Sequence, residues 1–295
     1  MTPVLSEEVP AVMSIDVEDW FHVENLRPVI DRDSWGRQKS RVERNVDRLL
    51  ELMAGCDVGM SCTWFILGWV AERFPHVVRR IADAGHEVAS HGYSHDLLDN
   101  LSREAFRADV GRSKQLLEDI AGDPVRGYRA PSFSIKEWAM PVLQDLGFVY
   151  DSSHFPSVGH DRYGRLPGVA TDEAISEILP GLFEISVSTM SVASVAVPWG
   201  GGGYFRLLPY PIFRAGARRI MRSGRPYVFY IHPWEIDPDQ PRPDGLPRLY
   251  RFRHYVGLER CEANFRSLLA DFSWTTMADL LERTGFVTRN REAGV

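Results

Sequence analysis

The run Ser90-His91-Gly92-Tyr93-Ser94-His95 places two histidines four residues apart. Imidazole nitrogens at that spacing, delivered by a strand end, can converge on one divalent cation. On spacing alone such a pair is more often a surface or core pair than a pair of ligands. A second segment changes the balance, because Ser14-Ile15-Asp16-Val17-Glu18-Asp19 brings three acids to the end of another apolar run. Two histidines and one carboxylate, with positions left for water, make a hydrolytic metal site. Zinc suits that set, and nickel, cobalt or iron would also bind it. On an extended strand Asp16 and Glu18 share a face, whereas a bulge would present Asp19. Any of the three could supply the carboxylate, and an acid that does not is expected to cap a helix or pair with a base.

These residues need elements to position them. Val12 to Asp16, Cys62 to Leu67, Glu87 to Ser90, Val125 to Ala130, Phe148 to Asp151, Leu182 to Val187, Tyr227 to Ile231 and Trp274 to Thr276 read as strands. Helical spacing marks Val42 to Met53, Pro75 to Ala84, Trp138 to Leu146, Pro211 to Arg222, Leu258 to Leu269 and Met277 to Thr284. Ser102 is placed to cap a helix running to Ile120, which Gly122 ends. Strands alternating with helices predict an α/β fold with a parallel sheet, open or closed into a barrel. The polar clusters fall at the C-terminal ends of the predicted strands: Asp16 to Asp19, His91 to His95, Arg129, Asp151 and His232. In (β/α) barrels that rim carries the active site. The glycines Gly200 to Gly203 are too short a run for a linker, and predict a loop that packs closely over a ligand or turns tightly. Pro238 to Pro247 reads as an ordered surface loop, and the chain from Thr288 on as frayed.

Composition narrows the function classes. The chain has 295 residues and a net charge of −6, with 34 basic and 40 acidic side chains and no basic patch, so nucleic acid is not the expected partner. Cys56, Cys62 and Cys261 lack metal-type spacing and are expected to be reduced thiols in a cytoplasmic protein. The N-terminal sixteen residues show neither the basic nor the apolar region of a signal peptide, and no apolar run approaches the roughly 20 residues of a membrane span. There is no G-x-S-x-G elbow, no P-loop, and no G-x-G-x-x-G between a strand and a helix.

Four segments, SIDVEDWFHV, DAGHEVASHGYSH, GYRAPSFS and YIHPWEID, resemble in order the successive motifs of the polysaccharide deacetylases, carbohydrate esterase family four. The resemblance runs from about Val12 to about Asp237, with AGHEVASHGYSH the most specific part. DVEDWFHV and HPWEIDPDQPR are similar to the subgroup encoded at bacterial exopolysaccharide biosynthesis loci. The resemblance implies a distorted (β/α) barrel and a metal-dependent hydrolase that removes N-acetyl groups from a carbohydrate. By position, His91 and His95 match the metal-binding histidines and Asp16 the general base that activates water, which leaves Glu18 or Asp19 as the metal carboxylate. Arg129 matches the arginine that pairs with that base, and His232 the general acid for the leaving amine. Where the family carries an aromatic that lines the pocket and offers a backbone N–H to the oxyanion, this chain has Ser132 followed by Phe133. Asp151 stands in for the aspartate that orients the acid histidine, although the family's aspartate-tryptophan pair is missing. Asp151, Ser132, Phe133, Trp234 and Arg206 are the expected substrate-binding residues; Glu235 could line the pocket as well as Trp234.

The expected organisation is one catalytic domain, with a deacetylase core over 12–237 and an extension over 238–286 packed on it. The expected substrate is an N-acetylated saccharide, lipid-linked or nascent. Two other readings stay open: a metal-dependent hydrolase of a cyclic imide or ureide, and a catalytically silent carbohydrate-binding relative.

Overall fold

The first strand, β1 (Ala11–Val17), is buried along its whole length, as a parallel strand covered on both faces must be. Its period-two alternation separates two environments. Ala11, Met13, Ile15 and Val17 pack outward under the helices, while Val12 joins an inner cluster with Phe65, Ala89, Tyr150 and Val228. Ser14 and Asp16 follow Val12 on that inner side, so one strand carries the gradient from apolar floor to polar site. The computed structural model describes residues 10–56, 60–155, 164–170, 173–192 and 195–287. The expectations for most of the N-terminal segment and for the chain from Thr288 lie outside the described residues.

After β1 come α1 (Val42–Ala54), β2 (Thr63–Ile66), α2 (Gly68–Arg73), α3 (Pro75–Asp83), β3 (Glu87–Ser90) and α4 (Arg103–Ala121). Ser102 caps α4 by accepting from Ala105 N–H, and Gly122 ends it in the left-handed region at φ 78°. There follow β4 (Gly127–Tyr128), α5 (Met140–Asp145), β5 (Tyr150–Asp151), β6 (Ile175–Leu179), β7 (Leu182–Ile185), and the hairpin of β8 (Thr189–Val192) and β9 (Val195–Pro198). The last elements are α6 (Gly202–Leu207), α7 (Tyr210–Arg222), β10 (Tyr227–Ile231), α8 (Arg248–Tyr255), α9 (Leu258–Asp271), β11 (Trp274–Thr275) and α10 (Met277–Arg283).

The main sheet runs β10-β1-β2-β3-β4-β5-β7-β6, with β11 beside the start of β1. Every pair is parallel except β6 with β7. Beyond β7 the chain reaches back to β10: Ser188 N–H donates to Val228 O at 3.2 Å, and Val228 N–H donates to Ser188 Oγ at 2.9 Å. The sheet therefore curls until its ends nearly meet, giving a distorted (β/α) barrel. Met277, Leu280 and Leu281 of α10 pack into the inner cluster and plug the end away from the site.

The strands expected at 125–130 and 148–151 contract to two residues each, although flanking groups still bond to neighbouring strands, Arg129 N–H to Ser90 O at 2.9 Å and Phe183 N–H to Val149 O at 3.0 Å. The short helices α2, α6 and α8 have too few buried apolar positions to show as periodicity; α8 buries only His254. The glycine run has a packing role. A Cβ on Gly200 would stand 2.3 Å from Val228 O, and one on Gly202 would stand 2.2 Å from Glu235 Oε1.

Gly200→Ala is therefore expected to cost about 1–3 kcal/mol, since a backbone carbonyl cannot step aside. Gly203→Ala, with nothing within 4 Å and an exposed helical position, should be neutral or slightly stabilising. Urea denaturation of the two variants checks this; equal midpoints would mean the closure at Gly200 is not tight.

Candidate functional site

At the end of β1, Glu18 N–H donates to Asp16 O at 3.0 Å, closing a tight turn about Val17. The turn directs Glu18 at the two histidines beyond β3. Its Oε1 lies 3.0 Å from His91 Nε2 and 3.0 Å from His95 Nε2, and all three side chains are buried. Asp19 takes the other expected role. It accepts from Ser40 Oγ at 2.5 Å and from the N–H groups of Arg41 (2.9 Å) and Val42 (3.2 Å), which caps the start of α1. Asp19 thus does not join the histidines.

Whether a cation fits can be judged from the protons. His91 Nδ1 lies 2.9 Å from Arg129 O, a contact that requires a proton on Nδ1. A neutral His91 then turns the lone pair of Nε2 toward a carboxylate oxygen, acceptor against acceptor. A cation between them resolves that conflict, and the Nδ1–H···O bond is the outer-shell contact that orients a ligand imidazole. Atoms each about 2.1 Å from a tetrahedral ion sit about 3.4 Å apart, close to the separations present here. Glu18, His91 and His95 can bring their ligand atoms within 4.8 Å of one another. The set fits a divalent ion. Burial favours the neutral acid in Glu18, but His95, His91 and His232 outweigh it and hold the carboxyl well below its usual range.

Asp16 meets Arg129 beside this cluster, Oδ1 to Nη1 at 2.7 Å, and the guanidinium is fully buried. Its remaining donors go to Ser14 Oγ (2.8 Å), Ser152 O (2.9 Å) and Ser152 Oγ (2.8 Å). The free oxygen of Asp16, Oδ2, is 3.9 Å from His232 Nε2. The other ring nitrogen of His232, Nδ1, bonds Glu235 Oε1 at 2.8 Å. Glu235 Oε2 in turn accepts from Arg206 Nε at 2.5 Å. Burial opposes the charge on His232, yet Glu235, Glu18 and Asp16 raise it to about 9. Burial would raise Glu235, but Arg206 and His232 bring it down to about 2.

These contacts correct three expectations. Asp151 neither orients His232 nor lines the cavity. Tyr150 faces the barrel interior, so alternation turns Asp151 to the opposite face, in register with Glu184. Burial raises both carboxyls, Glu184 well above its usual value with Asp151 adding to the rise. Arg206 does not offer its charge to a ligand. It is 2% exposed and spends its donors on Glu235 and the carbonyls of His254 (3.0 Å) and Val256 (2.6 Å). The partner of His232 is Glu235, three residues on in the turn after β10, where its Oε1 also accepts from His232 N–H at 3.1 Å.

A cavity of about 450 Å³ opens over the cluster, with Asp16, Glu18, His95 and His232 at its floor. Ser132, Phe133 and Trp234 line it, as does the stem of Arg206. Ser132 and Phe133 both adopt positive φ (50° and 57°), as does His95 (56°). Such strain in non-glycine residues gathers where surrounding contacts over-determine the backbone. Phe133 N–H is bonded to Ala130 O at 2.9 Å, whereas Ser132 N–H has no acceptor among the described residues. Phe133 forms an aromatic wall with Tyr230 (4.8 Å) and Phe155 (5.3 Å), neither of which stood out in the sequence. Trp234 stacks between His232 (5.2 Å) and His254 (4.5 Å). His22, also unremarked, accepts from Asp19 N–H at 2.9 Å and lies face to face with His95 at 6.5 Å.

Residues 36–150 match the polysaccharide deacetylase family, and residues 152–282 match a domain of unknown function, DUF3473. The two matches meet at β5 and share one sheet. A peptidoglycan deacetylase-like protein of Gibberella zeae is 31% identical over 163 residues, 54% of this chain and 47% of that protein. A peptidoglycan-N-acetylglucosamine deacetylase of Bacillus cereus is 35% identical over 130 residues, 44% of this chain and 46% of that protein. The matching stretches thus span under half the length of these two curated relatives. A crystal structure from Mycobacterium smegmatis, described as a polysaccharide deacetylase, aligns over 97% of this chain and 94% of that one, with TM-score 0.60 and 20% identity, so the two share a fold.

Replacing Glu18 by Gln, or His91 or His95 by Ala, should remove stoichiometric divalent metal from the purified protein. Asp19→Ala should keep the metal and instead cost about 0.5–2 kcal/mol of stability, because it uncaps α1. Elemental analysis beside urea denaturation separates the two effects; metal retained in Glu18→Gln and lost in Asp19→Ala would reverse the assignment.

Proposed function

The chain belongs to the polysaccharide deacetylase family, and on that footing we propose that it is a metal-dependent hydrolase removing N-acetyl groups from a carbohydrate. The observation that carries the reading is the meeting, on one cavity floor, of a cation-fitting triad, an arginine-held carboxylate and a carboxylate-held histidine. Bound there by Glu18, His91 and His95, a divalent ion supplies Lewis acidity to the carbonyl and the attacking water. We take the ion to be zinc, on the ligand set.

In the proposed mechanism Asp16 is the base. Arg129 occupies Oδ1 and fixes the carboxylate plane, leaving Oδ2 toward the cavity to take a proton from the attacking water. The Ser132 N–H on the cavity wall stabilises the developing oxyanion. His232 is the acid. Glu235 accepts a hydrogen bond from Nδ1–H, so in the charged imidazolium the proton on Nε2 is the one delivered to the leaving nitrogen. Phe133, Tyr230 and Trp234 supply flat apolar faces of the kind that pack against a sugar ring.

We further propose an N-acetylated saccharide, nascent or lipid-linked, within exopolysaccharide biosynthesis, and a cytoplasmic setting. The opening and closing motifs support the former, and the free thiols of Cys56, Cys62 and Cys261 suit a reducing compartment. Among the described residues no helix is long and apolar enough to cross a membrane. We also propose that 12–237 and 238–286 work as one catalytic domain, supported by β11 and α10 completing the sheet and its core.

Acetate release from N-acetylated oligosaccharides, measured with and without chelation, tests the reading; no release from any of them by metal-loaded protein would overturn it. Asp16→Asn should retain metal and fold yet lose most turnover. His232→Ala should lose most on amides, whose leaving amine needs a proton, and much less on an activated acetyl ester. Equal losses on both would remove His232 from the acid's role.

Glu235→Gln gives a pH test. In metal-free protein the raised pKa of His232 means its contribution to stability is full below about 6.5 and is lost as pH rises through about 9. With Gln at 235 the titration, followed by NMR, should move down from about 9 toward the ordinary value. The alkaline fall of the turnover profile should shift down in the same direction. An unmoved titration would mean that Glu235 does not set the histidine's charge.

A further inference from the structure

We propose that α8 docks this protein on an anionic lipid surface and so holds the mouth of the saccharide site against that surface. The helix reads Arg-Leu-Tyr-Arg-Phe-Arg-His-Tyr and contains no acid, in a chain whose net charge is −6. Arg248, Arg251 and Arg253 are exposed, and among the described residues no acidic side chain pairs with them. Between the guanidinium groups stand Leu249 and Phe252, 57% and 55% exposed. Leu207 of α6, 44% exposed, lines the same opening as these two. Three of the five exposed large apolar side chains among the described residues therefore crowd one rim, that of the cavity.

The exposure is not the result of a loose helix. α8 is fastened from beneath, where Arg206 bonds the carbonyls of Arg253, His254 and Val256, and His254 stacks on Trp234. A helix so held, with Leu and Phe standing among arginines, has the chemistry of an interfacial helix: the apolar side chains enter the acyl boundary and the guanidinium groups meet phosphates. Each basic residue near an anionic bilayer strengthens binding about fivefold. A second copy of the chain is the poorer occupant, because a two-fold contact would bring the three arginines of each copy together. The docking extends the saccharide-site reading by bringing the cavity to substrates carried on lipid.

The test is vesicle flotation of the full chain, using phosphatidylcholine alone and phosphatidylcholine mixed with phosphatidylglycerol. Wild-type protein should float with the anionic vesicles, release as salt is raised, and stay behind with the neutral ones. The double variant Arg248→Glu/Arg251→Glu should lose at least about tenfold in vesicle affinity. It should keep its hydrolysis of a soluble N-acetylated oligosaccharide, because neither side chain lines the cavity. Leu249→Ser/Phe252→Ser should also release the protein from vesicles. Wild-type protein that does not float with anionic vesicles, or a charge-reversed variant that floats equally well, overturns the proposal. So does a concentration-dependent dimer abolished by Phe252→Ser, which assigns the patch to a second copy. Flotation needs no turnover, so its failure leaves the deacetylase reading standing, and loss of acetate release leaves the docking standing.

Discussion

A fully buried guanidinium is the constraint on which the site rests. Arg129 has no exposed surface, and an ion taken from water to the protein interior is tolerated only when its partners replace the hydration shell. The partners come from separate strands: Ser14 and Asp16 from β1, and both the carbonyl and hydroxyl of Ser152 just beyond β5, while Arg129 itself follows β4. Phe65 of β2 closes the set with its ring 4.1 Å from the guanidinium carbon. Satisfying one cation thus fixes the mutual positions of four strand ends. Arg129 also offers its carbonyl to His91 Nδ1, so the same residue that holds the Asp16 carboxylate sets the tautomer of a candidate metal ligand.

A second buried guanidinium repeats the logic on the other wall. Arg206 ties Glu235, and through it His232, to the backbone at the end of α8. The approach is close enough that Gly202 has no room for a Cβ beside the Glu235 carboxylate, and Gly200 none beside β10. The sequence after β5, which carries no part of the histidine pair, is thereby coupled to the reacting centre through contacts that leave little slack.

How much of this was legible in the sequence follows from range. The barrel was legible because β1 and β10 are apolar runs that end in polar residues and β3 leads into His91, and that pattern is local. His91, His95 and the acidic strand end were legible for the same reason. The choice between Glu18 and Asp19 was not, because it depends on a turn about Val17 and on where the start of α1 lies, which places Ser40 and Arg41 over Asp19. Asp151 was misassigned because a two-residue strand gives no alternation from which to read its face. Arg206 was misread because nothing local shows that its partners are a glutamate and carbonyls some 30 to 50 residues on. Glu235 was within reach: a histidine followed three residues later by an acid, in a turn with Pro233 at its start, is a local pattern that can close on itself.

The balance of charge around the cavity favours Glu18, and not a neighbour, as the candidate place for a cation. Three carboxylates stand at the floor or directly behind it, and two have an arginine of their own: Asp16 has Arg129, and Glu235 has Arg206. Glu18 has only imidazoles, at 3.0 Å from His91 and His95 and 3.8 Å from His232. Its charge raises His95 against the pull of burial, and adds to the rise that Glu235 causes in His232. A dication held by Glu18, His91 and His95 would displace the proton of His95, so its uptake would release protons and weaken as pH is lowered. A cation there would also place positive charge near His232 and oppose its charged form, lowering its pKa from the raised value. Under the proposed function, the uncompensated carboxylate would couple the cation-binding half of the site to its proton-transfer half.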